Sequence, residues 1–152
     1  MKNLTWWMLV GWWALAQLVA VPACAQAQKL GWEALTKVDW EKKYNQQYKQ
    51  EFAYPKFAAS VKGWEGKEIV IKGYLLPVDV GGQYLVISRF PFESCFFCGG
   101  AGPESVMQVY MKNPFKIRRK MVTFKGKLRL NDRNVDDLIY ILEGAEMVPD
   151  EG

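Results

Sequence analysis

The sequence predicts a mainly β (α+β) fold: one N-terminal helix packed on a small five-stranded antiparallel barrel. Three observations carry that expectation. Apolar residues recur at helical steps up to Tyr48, the period changes to two from Lys67 onward, and glycines interrupt the alternating segments where a closing sheet must bend.

The elements follow in order. Trp32, Leu35, Trp40, Tyr44 and Tyr48 recur at three- to five-residue steps with Lys and Gln between them, which predicts a helix packing its aromatic stripe on the barrel. Asp39 is placed to cap the N-terminus, and Pro55 ends the helix after about Phe52. A connector leads to residues 68–78, which alternate around Ile69, Ile71 and Leu75, with Gly73 marking a bulge or bend. Gly81-Gly82 is a hairpin signal, and residues 84–90 return as the next strand. Residues 105–111 form a third strand. Residues 113–120 form a polar loop whose Lys116, Arg118, Arg119 and Lys120 read as a solvated hairpin tip. The clearest strand covers residues 121–130, with Val122, Phe124, Leu128 and Leu130 on one face and Thr123, Lys125, Lys127 and Arg129 on the other. After a turn at residues 131–134 that Asp136 and Asp137 help to end, residues 138–148 read as one strand interrupted at Gly144.

The first 25 residues set the compartment. Lys2 gives a positive start, residues 4–20 are mostly apolar with four tryptophans, and Pro22, Ala23, Ala25 and Ala27 form a small-residue exit. That pattern reads as a cleavable export signal. Two other readings stand beside it: a lipoprotein signal with acylation at Cys24, and an uncleaved anchor of about the length a membrane span needs. Residues 26–66 are then the N-terminal segment, residues 67–149 the barrel and residues 150–152 a tail. The net charge of +4 falls to +3 without Lys2, which suits solubility and gives no reason to expect nucleic acid as a partner. The chain contains no histidine, which excludes Ser-His-Asp and Cys-His catalysis and imidazole metal ligands.

The chemistry concentrates at Phe92-Glu93-Ser94-Cys95-Phe96-Phe97-Cys98-Gly99-Gly100-Ala101-Gly102-Pro103-Glu104-Ser105. Cys95 and Cys98 lie three positions apart, so both sulfurs can face one point and close a disulfide or grip a soft metal. The apolar collar is Phe92, Phe96 and Phe97, and the turn behind it is Gly99, Gly100 and Gly102.

The run Lys72-Gly73-Tyr74-Leu75-Leu76-Pro77-Val78, a strand ending near Phe90 and the cysteine loop after it together resemble an uncharacterised family of exported bacterial proteins, a domain of unknown function. The likeness runs from about Val38 to Val148. It implies an OB-like barrel and brings no established activity. This chain departs from the family pattern in the loop, where two cysteines stand without a histidine or a proline run.

Three uses of the loop compete. A disulfide closing four residues stabilises by only roughly 2 kcal/mol, against about 4.7 for a hundred-residue loop, so its effect would be to shape the loop and let the Gly99–Gly102 backbone present N–H groups to a ligand. A metal site would use Cys95 and Cys98 with Glu93 and Glu104. Zn wants four ligands, so Cu(I) suits two thiolates better, with Met107 or Met111 as thioether helpers if they are not core residues. Thiol–disulfide catalysis needs a helix N-terminus behind the first sulfur, and here glycines and Pro103 follow. The expectation is an exported, non-enzymatic binding or accessory protein of an envelope complex, with this loop as its site. A thiol–disulfide oxidoreductase and a purely structural interaction module are the alternatives.

Overall fold

Alternating side chains give each strand one apolar side, and closing the sheet on itself buries those sides without leaving an edge. The computed structural model describes residues 26–78, 81–113 and 119–149. The expected export signal and Cys24 lie outside them, as do Lys116 and Arg118. Eight strands follow in chain order: β1 (Gln28–Lys29), β2 (Val38–Asn45), β3 (Gln50–Phe57), β4 (Glu68–Leu75), β5 (Leu85–Ser88), β6 (Val106–Met111), β7 (Met121–Leu130) and β8 (Tyr140–Met147). Strands β4, β5, β6, β8 and β7 are hydrogen-bonded in that order, and β7 pairs back onto β4.

This closed five-strand barrel corrects one expectation. It is mixed, not antiparallel: β6 and β8 run parallel, with Gln108 opposite Ile141 and Val109 opposite Leu142. Parity requires it, since an odd number of strands cannot alternate direction all the way around a closed ring. The β4–β5, β5–β6, β4–β7 and β7–β8 pairings are all antiparallel, so the parallel step falls between β8 and β6. Gly126 and Gly144 mark a register shift between β7 and β8. A Cβ on Gly126 would sit 2.9 Å from the Glu143 carbonyl oxygen, and Gly144 has φ +58°. Gly73 lies in β4, paired with Val122, where Ser88 and Trp32 approach too closely for a side chain.

The second correction concerns residues 39–52, which form no helix. They belong to the antiparallel hairpin β2–β3, in which Trp40 faces Pro55 and Tyr44 faces Glu51. Asn45 turns the chain: its Oδ1 accepts the Gln47 and Tyr48 N–H groups at 3.0 and 3.2 Å, and Lys49 takes up φ +52°. The spacing misleads because Trp40, Tyr44 and Tyr48 stand four apart, a step that fits a helix turn and also a period of two. The one α-helical turn among the described residues is Ala59–Lys62.

The rest of the N-terminal segment plugs the barrel. β1 adds in parallel to β4, and a 3-10 turn at Trp32–Leu35 follows it. Leu30, Trp32, Leu35, Phe57 and Val61 join Ile69, Phe124, Leu128 and other barrel residues in one core. Trp32 Nε1–H donates to the Lys72 carbonyl at 2.8 Å. The buried Tyr140 hydroxyl donates to the Leu35 carbonyl, and burial together with the Glu104 charge pushes that phenol far above the usual tyrosine range. Tyr140→Phe would leave the Leu35 carbonyl without this donor inside the core. It is expected to cost about 1–3 kcal/mol in denaturant unfolding. Unchanged stability would show that the plug does not depend on this bond.

Candidate functional site

β5 and β6 have apolar residues on both of their sides. Ile87, Met107 and Val109 point into the barrel, whereas Val86 and Val106 point out of it. The outward residues need a cover, and the cysteine loop supplies it. Cys95 is 0 % exposed and packs with Leu76, Val86 and Val106, with Val78, Tyr84, Phe96 and Leu138 around them. Cys95 is therefore an anchor of a small outer core, while Cys98, three residues on, is exposed.

Three short 3-10 turns, Phe92–Ser94, Phe96–Cys98 and Pro103–Ser105, shape the loop. The Cys95 carbonyl accepts two N–H groups, from Cys98 and from Gly100, each at 3.1 Å, and Gly99 N–H donates to the Phe96 carbonyl at 3.0 Å. The Gly99 and Gly100 amides are thus consumed inside the loop and are not presented to a ligand as the sequence reading expected. Gly99 has φ +75°, and a Cβ on Gly100 would lie 2.7 Å from the Ser94 carbonyl oxygen, so both positions require glycine. At the end of the loop Ser105 Oγ donates to the Gly102 carbonyl at 2.6 Å, and the Ser105 carbonyl takes the Arg89 N–H.

The two thiols are brought together and carry no disulfide. The Cys98 thiol is pushed above the usual cysteine range. Neighbouring protein desolvates it, it shares a hydrogen bond with Cys95, and the Cys95 and Glu93 charges oppose a thiolate. Arg89, the cation nearest in sequence, is paired with Glu33 at 3.4 Å and lies over the Phe90 ring.

The two glutamates of the expected metal set part company. Glu93 acts on Cys98, whereas the Glu104 carboxylate lies over Gly102 and acts on Tyr140. Among the described residues no three His, Cys, Asp or Glu side chains gather as a metal-binding group. Met107 and Met111 belong to the inner core, on the opposite face of β6 from Val106 and its neighbour Cys95. Of the collar, Phe96 packs inward and meets Phe97 edge-on at 5.4 Å, while Phe92 and Phe97 stay 43 % and 48 % exposed.

No family model matches the chain, and no curated protein matches it. Among solved structures it is similar to the crystal structure of a DUF3299 family protein from Pseudomonas aeruginosa PAO1. The TM-score is 0.49 at 11 % identity, covering 83 % of this chain and 99 % of that one.

Beside the loop, a polar layer completes the outer cover. Gln108 is buried on the outer side of β6, donates to Asp137 Oδ1 at 3.0 Å and accepts the Leu138 N–H at 2.7 Å. Asn131 ties the same turn through the Asn134 carbonyl and N–H, at 2.6 and 2.9 Å. Tyr48, at the hairpin tip, donates to Asp136 Oδ1 at 2.6 Å. The sequence reading missed this layer. Its one signal was a glutamine inside an otherwise apolar strand.

The raised pKa of Cys98 fixes a sign. A higher pKa leaves less thiolate at neutral pH, so reduced Cys98 should alkylate more slowly than an unfolded cysteine at pH 7 despite its exposure. The difference should close as pH rises through the shifted pKa. Iodoacetamide labelling of the reduced protein across pH 6–10, with urea-unfolded protein as reference, reads it. Folded-state labelling faster than the reference at pH 7 would reverse the assignment.

Proposed function

We propose that this chain is an exported, non-enzymatic accessory protein of the cell envelope whose Cys95–Cys98 loop is a two-sulfur site that sets the shape of an apolar contact surface. The observation that carries the reading is the pairing of one buried, anchored thiol with one exposed thiol in a single 3-10 turn. Cys95 cannot move without disturbing the outer core, so bonding Cys98 to it fixes the turn that holds Phe97. An exported pair meets oxidising conditions, which favour the disulfide. The strand order β4-β5-β6-β8-β7, with its single parallel step, supports reading the barrel as OB-like.

A loop-shaping disulfide fits better than exchange catalysis. No α-helix starts at Cys95 to turn its dipole on the sulfur, and the raised pKa of the exposed Cys98 makes it the poorer nucleophile at neutral pH. A second reading rests on the donor set itself. Two adjacent thiols with no third donor gathered around them among the described residues suit low-coordinate Cu(I) better than tetrahedral zinc.

Amide hydrogen exchange tests the disulfide reading. Residues 95–100 should exchange several-fold more slowly in the oxidised than in the reduced protein, and Cys98→Ser should abolish the difference. Equal exchange in both states would mean that the bond does not shape the loop.

A further inference from the structure

A separate cleft lies where β4 ends. One wall is Leu75, Leu76 and Pro77, the other is Pro91 and Phe92, and Arg119 and Lys120 stand at its side just before β7. Its volume is about 700 Å³, within the range of sites that take a small organic ligand. The walls are fixed by backbone bonds: Leu75 N–H donates to the Lys120 carbonyl at 2.9 Å, Leu76 N–H to the Val86 carbonyl at 2.9 Å, and Ser94 N–H to the Pro91 carbonyl at 3.0 Å. The first of these bonds holds the Lys120 backbone beside the apolar wall.

The charges are unbalanced. Arg119 and Lys120 are exposed, and neither forms an ion pair with a carboxylate among the described residues. Among the described residues Glu93 is the one acid lining the cleft, against the two cations Arg119 and Lys120. Phe92 is 43 % exposed at its rim, apolar surface that an occupant would remove from water. A ligand that satisfies both features needs an apolar body to lie along Leu75, Pro77 and Phe92 and an anionic head to take charge-assisted hydrogen bonds from Arg119 and Lys120.

We propose that this cleft binds a small amphipathic anion, an alkyl chain carrying a carboxylate or phosphate head. The site uses neither sulfur, although it shares Phe92 and Glu93 with the cysteine loop.

The test is calorimetric titration of the full chain with dodecanoate, dodecyl phosphate and dodecyltrimethylammonium, each below its micelle concentration. Dodecanoate or dodecyl phosphate should bind with one-to-one stoichiometry, and the better of the two identifies the head. The cationic analogue should not bind. The surface double variant Arg119→Gln, Lys120→Gln should weaken the anion by about tenfold or more. Phe92→Ser should weaken the same anion through the apolar wall while leaving the head-group preference unchanged. Equal binding of the cation, no binding of either anion, or undiminished affinity in the folded double variant would overturn the assignment.

Discussion

The outer surface of β5 and β6 is the constraint on which the rest of this molecule depends. A small barrel ordinarily buries one side of its sheet and leaves the other to water. Here Val86 and Val106 point outward, and leaving them wet would forfeit the burial that stabilises a domain of this size. The segment between β5 and β6 therefore folds back over its own strands. Its deepest residue is Cys95, and the polar turn held by Gln108 and Asn131 closes the neighbouring part of the same surface.

That packing gives the two cysteines different standing. Cys95 is held by neighbours on four separate segments and behaves as a small core residue, whereas Cys98 rides on the far end of the 3-10 turn in contact with solvent. The loop is consequently built around a fixed sulfur, and only the second one has freedom to change partners. Glycine follows because of the same geometry: Gly100 passes close to the Ser94 carbonyl, and Gly99 turns left-handed to bring the chain back. Loop, collar and cleft all meet at Phe92, whose carbonyl accepts the Cys95 N–H at 3.3 Å while its ring lines the cleft beside Arg119 and Lys120.

Much of the barrel was legible in the sequence. Residues 121–130 alternate without interruption, and the structure places β7 over those residues. Gly144 and Gly81-Gly82 signalled an interrupted strand and a turn, and they take positive φ there. The hairpin β2–β3 was not legible, because aromatic residues four apart satisfy two periods at once and the deciding feature is the Asn45 turn, a single side chain. The parallel β6–β8 step was overlooked although it follows from closing an odd number of strands. The cysteine loop was found from its spacing. Its role as a cover was not, since Leu85-Val86-Ile87 and Val106-Met107 read as ordinary strands until the structure shows a second layer on them.

The most direct measurement is the native intact mass of the protein purified from its native cells without reductant or chelator. A closed Cys95–Cys98 bond predicts the mass of the isolated chain less two hydrogens, restored by reduction and absent from Cys98→Ser. A fully reduced chain of unmodified mass, with no metal bound, would contradict a two-sulfur site and leave Cys95 as packing alone.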